Sequence, residues 1–152
     1  MYFLAGLLRD IGKVIMDQYM HEDFDSVLEI REIENISIID AERRIMGVTH
    51  AEIGRKVAER WKFPEILIEA IRFHHDPQMA TLAPQISAII YLSDFLCKAK
   101  HIGNSGDYCI NNFHEPFVSK YNITPELIKN LITIEIDREM SKARSLLQIA
   151  KA

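Results

Sequence analysis

Apolar residues recur at three- and four-residue steps along almost the whole chain, and clean alternation with period two is nearly absent. That pattern restricts the chain to helices packed on helices and leaves no strands for a sheet, so an all-α fold is expected. Phe3, Leu4, Leu7, Leu8, Ile11, Val14 and Ile15 predict one helix from near Met1 to about Tyr19. A second is expected over about 24–33. A third follows Asn35, with Ile38, Ile39, Ile45 and Met46 on one side and Gly47 as its stop. Val48 or Thr49 opens the next, which reaches Trp61 through Ile53 and Val57. Lys62-Phe63-Pro64 breaks the chain, and Pro64 suits the first turn of another helix because its missing N–H is not needed there. That helix runs to His74-His75 and ends before Pro77. Thr81 begins a long apolar helix to about His101, followed by a loop over 103–107. An irregular stretch over 108–122 leads to Thr124-Pro125, a cap and first-turn proline for the final helix. Leu127, Ile128, Leu131, Ile132, Ile136, Met140, Ala143 and Leu147 mark its apolar residues. Residues 131–136 alternate locally, but the helical spacing on both sides favours helix.

At 152 residues the chain is expected to be a single helical domain. Its formal charge of −4 argues against a broad cationic face for nucleic acid. Cys97 and Cys109 are too few for a disulfide scaffold and form no CxxC pair, which fits a reducing cytoplasm. The opening apolar run has no basic lead-in and is interrupted by Arg9-Asp10, so it is not a signal sequence. The longest uncharged apolar run, around 86–92, is less than half a bilayer span, so no membrane association is expected. Met1 already lies within an apolar helix, which fits either a short natural chain or a longer domain lacking its N-terminal part.

Asp10, His50, His74, His75 and Asp94 carry the chemistry. Taken singly, each fits a hydrogen-bonded core group. Five such residues from four helices are different, because a bundle interior can bring them together. Imidazole nitrogen with carboxylate oxygen is also the ligand mixture that suits manganese, iron, zinc or nickel.

The order and surroundings of these residues resemble a known group. Leu7-Leu8-Arg9-Asp10-Ile11-Gly12-Lys13 resembles the LLHDIGK segment of the HD superfamily of metal-dependent phosphohydrolases, with arginine in the place of the signature histidine. Glu42 and Gly47-Val-Thr-His50-Ala-Glu-Ile-Gly54 resemble the E…GxxHAxxG stretch of HDOD domains, signalling domains related to those hydrolases. Trp61-Lys-Phe-Pro64, Ala70-Ile-Arg-Phe-His74-His75-Asp-Pro77 and Leu92-Ser-Asp94 continue the likeness, which is strongest over 4–99. The resemblance implies an HD-like bundle of about six to eight helices. It assigns metal binding to Asp10, His50, His74, His75 and Asp94, and a phosphate contact to Lys13. Asp10 and Lys13 are the catalytic candidates if the chain is active. The divalent ion would be Mg, Mn, Fe, Ni or Zn, although no cofactor is the leading expectation. His75 is followed by Asp-Pro-Gln-Met-Ala, so the GYP signature of cyclic dinucleotide phosphodiesterases is missing.

Arg9 decides between the readings. A guanidinium offers no lone pair and stays charged, so it removes a ligand and repels a metal ion. It is expected to fill the emptied place and pair with Asp10 or Asp94. Alternatively, Arg9 and Lys13 with the histidine pair form an anion pocket. The leading function is therefore a non-catalytic bacterial signalling module acting through protein contacts. A metal-dependent phosphohydrolase and a nucleotide- or phosphate-sensing domain are the alternatives. The expected partners are a signalling protein and a second copy of the chain.

Elsewhere the residues suit structural roles. His21 lies in a polar connection, and His101 and His114 have no ligand-like spacing. Cys97 falls in an apolar helix, Trp61 suits a packing anchor, and the 103–107 loop lacks a P-loop's lysine. Lys142, Arg144 and Lys151 complement the last helix's dipole.

Overall fold

The apolar run that opens the chain is divided at Arg9-Asp10. The computed structural model, which describes residues 1–103, 106–107, 113 and 115–149, places α1 at Tyr2–Leu8 and α2 at Ile11–Tyr19. The single helix expected over 1–19 is thus two. Asp10 turns out of helical geometry (φ −94°, ψ 13°), and its carbonyl accepts the Lys13 N–H. Apolar spacing does not register such a break, because both segments keep an apolar side through the turn.

α3 spans His21–Glu34 and ends at Asn35 in the left-handed region (φ 52°). α4, Ile38–Met46, starts from a Ser37 cap and stops at Gly47 (φ 68°), the expected glycine stop. Thr49 caps α5, His50–Arg60. Its side chain accepts the Glu52 N–H, while the Glu52 carboxylate accepts the Thr49 N–H and hydroxyl. That reciprocal pair makes His50 the first residue of its helix. Lys62 (φ 56°) reverses the chain, and Pro64 serves as N-cap of α6, Glu65–Phe73, one position earlier than expected. A 3-10 turn over Pro77–Met79 leads to α7, Pro84–Ala99.

The start of α7 is held from α6. The Glu69 carboxylate accepts the N–H groups of Thr81, Leu82 and Ala83 at 2.6–3.0 Å. Burial raises the Glu69 pKa, but these donors outweigh it and hold the group below its ordinary value. Glu69→Ala leaves three N–H groups with no carboxylate, so a loss of about 3 kcal/mol is expected, read from urea unfolding. Glu69→Gln should recover part of it.

The described residues fall into two compact units, 1–110 and 111–152. In the first, one apolar cluster joins Ala5, Ala58, Leu67, Ala70, Ile71, Ile86 and Ile90. Another joins Met16, Phe24, Val27, Ile38 and Ala41. Between them α2 crosses α5 at Gly12 and Gly54. A Cβ on Gly12 would stand 1.9 Å from the His50 carbonyl oxygen. Only bare backbone permits this approach, and it carries the N-terminal ends of both helices to one point.

In the second unit, α8 (Glu115–Tyr121) lies within the stretch expected to be irregular. Phe113 and Phe117 stack with ring centres 5.5 Å apart. α9, Pro125–Asn130, begins at the expected Thr124 cap with Pro125 in its first turn. It continues through a π-helical stretch, Leu131–Glu135, into α10, Ile136–Ile149. The locally alternating residues are therefore helical, wound more loosely than an α-helix. No strand occurs among the described residues, so the fold is all-α. Cys109, His114, Lys151 and part of the 103–107 loop lie outside the described residues.

Candidate metal centre

Asp10 precedes α2, His50 opens α5, and His74 and His75 follow α6. Three helix ends thus supply four ligand-type side chains, whose ligand atoms all lie within 4.8 Å of one another. The Nε2 of His50 stands 3.2 Å from that of His74 and 3.0 Å from that of His75. Asp10 Oδ1 is 3.3 Å from His50 Nε2 and 3.7 Å from His74 Nε2.

The other ring nitrogens set the chemistry. His74 Nδ1 faces the Ile71 carbonyl at 2.7 Å, and a carbonyl only accepts, so this nitrogen carries the proton. His50 Nδ1 likewise donates to the Glu42 carboxylate at 2.7 and 2.8 Å, and Glu42 also accepts the His50 N–H at 2.9 Å. Glu42, His50 and His74 are buried. With both Nδ1 atoms protonated, two neutral rings aim Nε2 lone pairs at each other. Only a shared cation, an added proton or a metal ion, makes that contact favourable.

The spacing fits an ion as well. Ligand atoms about 2.1 Å from a tetrahedral centre sit about 3.4 Å from one another, close to the separations found here. A carboxylate and a carbonyl fixing the remote nitrogens of ligating imidazoles is the usual outer support of such centres.

Burial lowers the His74 pKa, and the Asp10 hydrogen bond only partly offsets it. Burial, followed by the charges of His74 and His50, holds His75 well below its ordinary value near 6.5. Burial pushes Asp10 up, yet hydrogen bonds that His50 and His74 donate when Nε2 carries a second proton, together with the Lys13 charge, hold it far below the carboxylate range. The depressed histidines have a consequence for stability. The unfolded chain takes up protons at His74 and His75 as pH falls below about 6.5, before the folded chain does. Their contribution is therefore full above that pH and lost progressively below it, by up to about 1.4 kcal/mol per proton and pH unit. Urea midpoints should fall between pH 7.5 and 5.5, with a shallower fall in His75→Gln.

Asp94 lies apart from this cluster. Arg9 bridges the two aspartates, with Nη2 2.7 Å from Asp94 Oδ1 and Nε 3.2 Å from Asp10 Oδ2. Lys98 Nζ holds Asp94 Oδ2 at 2.8 Å and Asp107 Oδ2 at 2.6 Å, and Lys13 Nζ holds Asp10 Oδ1 at 3.0 Å. Burial lowers Lys98, but Asp94 and Asp107 outweigh it and keep its pKa raised. Three cations thus answer three carboxylates. The cavity bounded by Arg9, Asp94, Cys97, Lys98 and Asp107 holds about 30 Å³, room for about one water and none for a nucleotide. Burial pushes the Cys97 thiol up, which keeps it protonated and unreactive.

Sequence reasoning left Glu42, Lys98 and Asp107 out of the site. Glu42 had a signal, eight residues before His50 in the same motif stretch. Lys98 lies one turn after Asp94 on the same helix, whereas Asp107 offered nothing local. Trp61 packs its ring edge toward Phe63 and is half exposed, so it anchors only its own turn. His21 is exposed between Asp17 and Asp25.

An all-helical fold with this histidine and aspartate cluster fits the resemblance to HD-related domains. The model of the HDOD domain family matches residues 1–77, half of the chain, and the chain belongs to that family. It is similar to an HDOD domain protein of unknown function from Geobacter sulfurreducens, whose crystal structure superposes with a TM-score of 0.75. That match has 25% identity and covers 95% of this chain and 51% of the other. An uncharacterized protein of Treponema pallidum (strain Nichols) is 36% identical over 74 residues, 49% of this chain and 14% of that protein. The chain therefore spans about half of the structural relative and a small part of the Treponema protein. No described helix is long and apolar enough to cross a membrane.

Proposed function

We propose that this chain is a non-catalytic regulatory module of a bacterial, cytoplasmic signalling protein, acting through protein contacts. The observation that carries this reading is the Arg9 guanidinium set between Asp10 and Asp94. A hydrolytic centre of the HD type needs both carboxylates free for metal. Here each is neutralised by a permanent cation, and Asp94 by Lys98 as well. An ion between the two carboxylates would stand beside the Arg9 guanidinium, where at about 4 Å and intermediate dielectric unit charges repel by about 4 kcal/mol and a divalent ion doubles that. Phe3 and Leu7, one turn apart on α1, are 78% and 65% exposed, a surface suited to a protein partner.

The convergent Nε2 atoms favour a second element of the reading, one divalent ion on His50, His74, His75 and Asp10 Oδ1, the carboxylate oxygen that Arg9 does not hold. Three imidazoles with one carboxylate suit zinc, iron, manganese or nickel over magnesium. Such an ion supplies Lewis acidity and lowers the pKa of a bound water. Glu42 and the Ile71 carbonyl orient the rings toward it, and Arg9 keeps Asp94 out of reach. Its role here is to hold three helix ends together.

The test is metal analysis of chain purified without chelator, paired with phosphoesterase assays in manganese, iron and zinc. At most one ion per chain and no turnover above buffer are expected. Hydrolysis that His50→Ala abolishes would overturn the non-catalytic reading.

A further inference from the structure

α9, the π-helical stretch and α10 run without a break over 125–149, about 37 Å of helix. Along it Ile128, Leu131, Ile132, Ile136 and Met140 are partly covered, and none of its described side chains is buried. Four residues turn an α-helix about 400°, so an apolar residue at every fourth position drifts about 40° per step. Ile128, Ile132, Ile136 and Met140 recur at that interval. The π-helical stretch takes more residues per turn and removes the drift, which aligns the four as one stripe. The sequence spacing carries the stripe on to Ala143 and Leu147.

We infer that this helix pairs antiparallel with the same helix of a second copy of the chain. The outer apolar positions agree with this, since Ile128 and Leu147 stand equally far from the 137–138 peptide bond, as do Ile132 and Ala143, while Ile136 and Met140 come opposite Glu139 and Glu135 at the centre. The charges of the helix select that occupant, because they are self-complementary. Residues 125–137 carry Glu126, Glu135 and Asp137 against Lys129, whereas 138–149 carry Arg138, Lys142 and Arg144 against Glu139. An antiparallel copy sets each half on its opposite, and a parallel copy sets like on like. The pair of Lys142 with Glu139, 2.7 Å apart, is exposed and free to exchange across such an interface. Two helices of this length bury on the order of 1,500 Å² together, within the range of stable interfaces.

Sedimentation of the full chain at about 10–100 µM should give a dimer. Ile136→Glu should return it to monomer with its helical circular dichroism kept. Lys142→Glu with Arg144→Glu, both exposed, should weaken association about tenfold at low salt and less at high salt. Spin labels on Lys129→Cys, with Cys97 and Cys109 replaced by serine, should lie roughly 30 Å apart, against roughly 15 Å in a parallel pair. A monomer at the highest concentration, a dimer indifferent to Ile136→Glu, or the short label distance overturns the inference.

Discussion

Gly12→Ala is expected to lower stability by about 3 kcal/mol or more, a fall in melting temperature of roughly 10 °C. The added Cβ meets the His50 carbonyl oxygen at 1.9 Å, the carbonyl carbon at 2.7 Å and the Gly54 nitrogen at 2.9 Å. All three are backbone atoms, so no rotamer change relieves the clash, and α2 must move away from α5. Helix propensity alone argues the other way, since alanine is favoured over glycine in a helix by about 1 kcal/mol. The sign of the effect thus separates a required close approach from a helix weakened by an idle glycine. The same movement carries Asp10 away from His50, so metal affinity should fall with stability. Gly47→Ala is the control. It too costs stability, through its positive φ, but meets nothing within 4 Å and leaves the centre intact. Thermal unfolding and metal titration of the two variants check this. A Gly12→Ala chain as stable as the parent would show that the two helices do not meet as described.

Arg9→His should raise metal binding from at most one ion per chain to as many as two, with affinity for manganese or iron up about a hundredfold. The substitution takes a fixed charge from between Asp10 and Asp94 and replaces it with a nitrogen lone pair. Asp94, left with Lys98, becomes available to an ion that Arg9 repels. Without metal the variant should be less stable by about 1–2 kcal/mol, since two partly buried carboxylates lose a shared partner. Added metal should reverse that loss. Metal content after dialysis and thermal unfolding with and without manganese read both effects. Unchanged metal content in a folded Arg9→His would mean that the guanidinium is not what closes the site. Arg9→Lys separates charge from geometry. It keeps the repulsion but cannot bridge two carboxylates with a planar fork, so metal binding should stay low while stability falls.

Much of this molecule is legible along the chain. The 3.6-residue period excludes sheet, and Gly47, Thr49 and the Thr124-Pro125 cap mark helix ends, because these signals act over a few residues of backbone. The order of Asp10, His50, His74, His75 and Asp94 points to the HD-related group, and the arginine at position 9 announces a changed site. What distance in sequence conceals is which of these groups meet. The five candidates divide into a cluster of four and an aspartate held by Arg9 and Lys98, a partition set by where α7 lies beside α1. Glu42 becomes the partner of His50 only because the turn over 47–49 sets the buried Glu42 side chain of α4 against the first residue of α5. The break at Arg9-Asp10 is hidden for a related reason, since a turn that preserves the apolar side leaves the periodicity unchanged. Local hydrogen-bonding rules and apolar spacing therefore determine the helices and the types of group they carry. Close packing at bare glycine backbone, and the pairing of buried charges across helices, decide the site those groups make.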